Sequence, residues 1–204
     1  MINESKYNLI FLFAGSNCSG KTSYMKFLEG KPFEDSREIK IGIDMSKFRA
    51  QSHNMNIDVK IFRSPDSPKE CFSGKILRLC YLPIGVLLFY DPEYDWSFKN
   101  AQSWYENTKI VCPRKTVFYL VKSKSDISNQ NVPDEEAIEY ARLNGMRFYS
   151  MSVKDNIGTA EPFQDLLDDI TSKLMNGDII VSEMPTTQEI LTTQNTTNNK
   201  CLLI

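Results

Sequence analysis

Short, unbroken apolar runs alternate with stretches of helical periodicity along this chain. Asn8 to Ala14, Ile84 to Tyr90 and Thr116 to Val121 are brief and continuous, as strands buried on both faces tend to be. Arg147 to Met151 is a weaker run of the same kind. Met45 to Ser52 and Asn56 to Phe62 are further strand candidates, and the polar pair His53-Asn54 between them predicts a hairpin. Helices are predicted from a glycine-rich loop to about Glu29, then over Trp96 to Val111, Pro133 to Asn144 and Thr159 to Met175. The last is the clearest. Phe163, Leu166, Leu167, Ile170 and Leu174 share one face, and Thr159 with Pro162 marks a helix start. Strands and helices in alternation predict an α/β fold, with a mostly parallel sheet covered on both faces and one antiparallel strand from the hairpin. Composition changes after about Gly177, and residues 186–200 are dominated by Thr, Gln and Asn. The expected organisation is one domain over 1–176 and a flexible tail over 177–204.

The glycine-rich loop brings in the first chemistry. Gly15-Ser16-Asn17-Cys18-Ser19-Gly20-Lys21-Thr22 matches G-x-x-x-x-G-K-[ST] at every fixed position, and it lies between a strand and a helix as that motif requires. The glycines let the backbone curl so that several N–H groups face phosphate oxygens. The helix that begins near Gly20 adds the positive end of its dipole, with Ser23 in its first turn. Lys21 is positioned to reach the terminal phosphates, and the Thr22 hydroxyl to ligate Mg²⁺. This loop alone chooses neither the base nor the reaction.

Composition narrows the classes. The chain has 204 residues, a formal charge of −2 and a hydrophobic share of 41%, enough for a core and too little positive charge for a nucleic-acid face. Its five cysteines are scattered, with neither metal-ligand spacing nor a disulfide framework, as in a reducing cytosol. No apolar run reaches the roughly 18 residues of a membrane span.

Two later segments point to the base. Ser123-Lys124-Ser125-Asp126 ends a buried run, and Ser152-Val153-Lys154 follows the last strand. They resemble the N-K-x-D and S-A-K motifs of Ras-like small GTPases, with Ser123 in place of Asn. The resemblance implies that the Asp126 carboxylate accepts two guanine N–H bonds, that Lys124 packs along the base, and that the 152–154 backbone meets the guanine oxygen. Ile41-Gly42-Ile43-Asp44, Gly85 to Asp91, Trp104 and Phe148 to Ile157 resemble the Rab branch in particular. The resemblance spans roughly residues 7 to 176. It implies a P-loop small G domain with a six-stranded sheet, GTP/GDP and Mg²⁺ as ligands, effector partners and a role in vesicle transport.

The pattern breaks where the family senses the γ-phosphate. Lys40 stands where the family has a metal-binding Thr, and Arg63 where it has the Mg²⁺-side Asp. The segment Phe62 to Phe72 replaces W-D-T-A-G-Q-E-x-F. It puts Asp66 or a neighbour at the sensing Gly, offers no Gln to orient water, and carries Pro65 and Pro68, which have no N–H to donate. Asn17 adds a side chain that crowds the hydrolytic transition state. No catalytic residue is therefore assigned, and turnover is expected to be very slow. Lys40 and Arg63 are expected to replace part of the metal's charge, weakening Mg²⁺ dependence. Met45 and Phe62 keep an apolar effector surface open, or pack between the hairpin strands.

Cys201-Leu202-Leu203-Ile204 reads as a C-a-a-X prenylation signal. One lipid chain binds a membrane only marginally, and Lys200 is the only basic residue after Lys173. The expectation is reversible attachment to the cytoplasmic side of an intracellular membrane, helped by a prenyl-shielding carrier protein. Two other functions stay open: a guanine-nucleotide-binding scaffold that does not switch, and a P-loop small-molecule kinase, which the guanine-type motifs disfavour.

Overall fold

A computed structural model describes residues 7–35, 44–68 and 83–179. Its strands are β1 (Tyr7–Gly15), β2 (Asp44–Ser52), β3 (Met55–Arg63), β4 (Gly85–Tyr90), β5 (Val117–Lys122) and β6 (Arg147–Ser150). The helices among the described residues are α1 (Lys21–Leu28), α2 (Asp95–Val111), α3 (Asp134–Leu143) and α4 (Glu161–Met175). The strands form one sheet in the order β2-β3-β1-β4-β5-β6. Every pairing is parallel except β2 with β3.

Each predicted strand and helix is present, and boundaries differ by a residue or two. The alternation of β1 explains how one short apolar run serves two layers. Leu9, Phe11 and Phe13 point into one core with Tyr24, Phe89, Leu166 and Ile170. Leu12 and Ala14 point into another with Val86, Phe98, Trp104 and Leu120. Because β1 and β4 are covered on both faces, their sequences show no polar alternation at all. The hairpin turn is the two-residue His53-Asn54, both at positive φ, closed by the pair Ser52 and Met55. The His53 ring lies 2.9 Å from the Ser172 hydroxyl, so the turn is seated on α4.

The start of α4 is a small departure from expectation. Ala160, not Thr159, precedes the first helical residue, and the Thr159 hydroxyl donates to Asn156 instead. A distant side chain takes over the capping role. The buried Tyr24 hydroxyl of α1 accepts the Phe163 N–H at 3.1 Å and donates to the Thr159 carbonyl at 2.9 Å. Burial pushes this phenol's pKa far up, so it stays a neutral donor. The packed body continues past α4, where Ile179 is buried against the first core. Residues 180–204, with the tail and Cys201, lie outside the described residues. No helix among the described residues is long and apolar enough to cross a membrane.

Tyr24→Phe removes one hydroxyl and strands two buried backbone groups. It should lower unfolding free energy by about 1–3 kcal/mol in chemical denaturation. Unchanged stability would show that the Tyr24 bonds do not tie α1 to α4.

Candidate nucleotide site

The parallel strands deliver their carboxyl ends to one edge of the sheet, where such folds bind ligands. The loop after β1 occupies the centre. Gly15 has φ +145°, and a Cβ there would stand 2.2 Å from the Phe89 carbonyl oxygen, so only glycine lets the loop pass so close to β4. Gly20 takes a left-handed φ of +87° and its carbonyl accepts the Tyr24 N–H at 2.9 Å, starting α1. Cys18 is also left-handed, at φ 58°, and exposed.

Lys21 closes the loop from inside. Its ammonium donates to the Gly15 carbonyl at 2.7 Å and the Ser16 carbonyl at 2.6 Å, and the residue is only 4% exposed. Burial lowers its pKa to about 7; Asp66 and Cys18 oppose that shift, and the Arg63 charge adds to it. The Ser16 hydroxyl lies 2.8 Å from that of Ser97, which in turn accepts the Asp91 N–H at 2.9 Å. The loop is thereby joined to the end of β4 and the first turn of α2.

The predicted base residues meet the loop on one side. Ser123 donates its hydroxyl to the Tyr90 carbonyl at 2.9 Å, and its Cβ stands 3.0 Å from where a Cβ on Gly20 would be. Lys124 is left-handed, at φ 51°, and pairs with the buried carboxylate of Asp91 at 2.5 Å. Asp126 accepts the Ser152 hydroxyl at 2.7 Å, with the Lys154 ammonium 3.7 Å away. Ser152 also accepts the Asp155 N–H at 3.1 Å, and Ser125 donates its N–H to the Met151 carbonyl at 3.0 Å. Val153 packs partly against the core. The segments 123–126 and 152–154 are therefore tied into one unit beside Gly20.

The opposite side holds the substituted segment. Arg63 ends β3, 4% exposed, with Phe13 and Asp44 as its neighbours in register. Ser64 donates its N–H to the Phe13 carbonyl at 2.9 Å. The Asp66 carbonyl then accepts Asn100 at 3.2 Å and the Trp104 indole at 3.4 Å, while its carboxylate accepts the side-chain amide of Asn17. The sequence named Asp66 only as a departure and Asp91 only as the end of a resembling segment, and it pointed to neither Ser97 nor Asn100. Asp91 had a faint signal as the first charge after an unbroken apolar strand. Lys40, Ile41 to Ile43 and the segment Lys69 to Phe72 lie outside the described residues.

The donor set suits phosphate: a curled backbone, a buried ammonium and a helix start. It suits a divalent cation poorly. Thr22 offers a half-buried hydroxyl, but the nearby end of β3 carries a guanidinium. No group of three or more His, Cys, Asp or Glu among the described residues could hold a metal ion.

Such a loop, strung between a central parallel strand and its helix, defines a P-loop nucleotide-binding domain of the α/β class. The chain belongs to the Ras family, whose sequence profile matches residues 10–172. It is similar to mouse (Mus musculus) Ras-related protein Rab-42, 29% identical over 177 residues that cover 85% of this chain and 82% of that one. To bovine (Bos taurus) Rab-13 it is 26% identical over 195 residues, 94% of each chain. A higher identity, 38%, links it to human (Homo sapiens) Rab-42 over 102 residues, 49% of this chain and 47% of that protein. The Rab-like resemblance seen in its motifs thus extends over most of the chain.

Proposed function

We propose that this chain binds GDP and GTP as a Rab-like protein of vesicle transport, with slow hydrolysis and weakened dependence on Mg²⁺. The observation that carries the reading is the unit formed by Asp126, Ser152 and Lys154, on the segment whose first residue, Ser123, stands against Gly20. It holds a carboxylate ready for paired N–H donors, which guanine presents and adenine lacks, next to a loop built for phosphate. In this reading Gly15 to Ser23 cradle the phosphates, and Ser123, Lys124, Asp126 and the 152–154 backbone surround the base. Thr22 is the residue that would touch a metal, which when bound supplies charge neutralisation between phosphates. Prenylation of Cys201 would give reversible membrane attachment, with effectors and a lipid-shielding carrier as protein partners. A second reading, a guanine-nucleotide scaffold that does not switch, is favoured by the Asp66 carbonyl, which ties the segment after β3 to α2.

Binding of labelled GDP and ADP tests base selection. GDP should bind more tightly by at least about 100-fold, and Asp126→Asn should reduce GDP affinity by at least about tenfold. Equal affinity for both nucleotides would sink the guanine assignment.

Replacing Mg²⁺ by EDTA should change GDP affinity by less than about tenfold, because the buried Arg63 guanidinium acts on Lys21 beside Thr22, and the resemblance aligns Lys40 with a metal-binding Thr. A loss of several powers of ten would contradict this.

Single-turnover assays with GTP should show a rate at least about tenfold below the roughly 4 × 10⁻⁴ per second of Ras without an activator. Faster intrinsic turnover would mean that another group positions the water.

A further inference from the structure

Asp66 has a place in the site that the family resemblance does not supply. The nucleotide's direction can be read from the two anchors. Ser123, at the start of the segment that carries Lys124 and Asp126, stands against Gly20 at the helix end of the loop. A nucleotide seated there runs from Ser123 and Asp126 past Gly20 toward Asn17, so its terminal phosphate approaches Asn17 and Lys21. Asp66 occupies that far end, its carboxylate accepting the Asn17 amide. Its carbonyl is fixed independently, by Asn100 at 3.2 Å and Trp104 at 3.4 Å, which pin the backbone to α2.

We propose that the Asp66 carboxylate, tethered by Asn17 at the terminal-phosphate end of the loop, is a specificity-determining residue that makes this a diphosphate-selective site. The inference rests on the guanine-nucleotide reading and deepens it by naming the preferred ligand, GDP. The physical basis is negative selection. A γ-phosphate entering beside Asp66 meets a like charge, while a diphosphate stops short of it. Displacing Asp66 would relieve the repulsion but release the Asn17 amide. The same carboxylate also occupies part of the field that a third phosphate would otherwise use. Asp66 and Arg63 act on the Lys21 ammonium in opposite directions, so both stand near the end of the loop that Lys21 closes.

The test is titration of nucleotide-stripped full-length chain with labelled GDP and a labelled non-hydrolysable GTP analogue, in Mg²⁺ and in EDTA. The wild type should bind GDP at least about tenfold more tightly than the GTP analogue, a difference of about 1.4 kcal/mol. Asp66→Asn keeps the shape and the carbonyl anchors, and should shrink that ratio by at least about fivefold in both conditions. Asn17→Ala, which releases the carboxylate without touching it, should shift the ratio the same way by a smaller factor. Equal wild-type affinities, or a ratio unchanged in Asp66→Asn, would overturn the proposal while leaving guanine binding intact. A loss of GTP-analogue affinity in Asp66→Asn confined to Mg²⁺ would also overturn it, by making Asp66 a metal ligand. Failure to bind either guanine nucleotide would overturn both this proposal and the reading beneath it.

Discussion

The buried ammonium of Lys21, donating to the Gly15 and Ser16 carbonyls, is the constraint around which the site is built. A charge taken out of water must be met by polar groups, and here the loop's own carbonyls meet it. That turns the loop inward and leaves its N–H groups for a ligand. The geometry holds because β1 brings Gly15 within contact of the Phe89 carbonyl, where no side chain fits. Everything that later matters at the site is attached to this ring: Ser16 through Ser97 to Asp91, Gly20 against Ser123, Asn17 to Asp66.

The two ends of the ring carry opposite chemistry. On the base side, Asp126, Ser152, Lys124 and Asp91 form short, mutually satisfied pairs. On the other side stand the Arg63 guanidinium and the Asp66 carboxylate, which in the proposed reading replace the groups that sense a γ-phosphate. A nucleotide can be recognised by such a site without being read for its phosphate number in the family's way. In the proposed reading binding and switching are thus separable, since they depend on different ends of one loop.

Much of this was legible in the sequence because it is local. The unbroken run of β4, the loop motif between β1 and α1, and the helical stripe of α4 are each written in consecutive residues. His53-Asn54 announced its turn for the same reason. What escaped was made by residues far apart in the chain. Asp91 gains its partner in Lys124, and Asp66 its partner in Asn17, only once β4, β5 and the segment after β3 share one sheet edge. The start of α4 was misplaced slightly because its capping group is Tyr24, on another helix, and no local pattern could show that. Arg63 was recognised as a departure, but its burial at the end of β3 follows from the sheet order alone.

The central claim is that phosphate and guanine recognition survive in a site whose switch side has been rebuilt. Nucleotide released by denaturing the freshly purified full-length chain, identified by chromatography, tests it most directly. The account predicts a guanine nucleotide at about one per chain. Recovery of adenine nucleotide at that level, or of none together with no binding of added GDP, would contradict it.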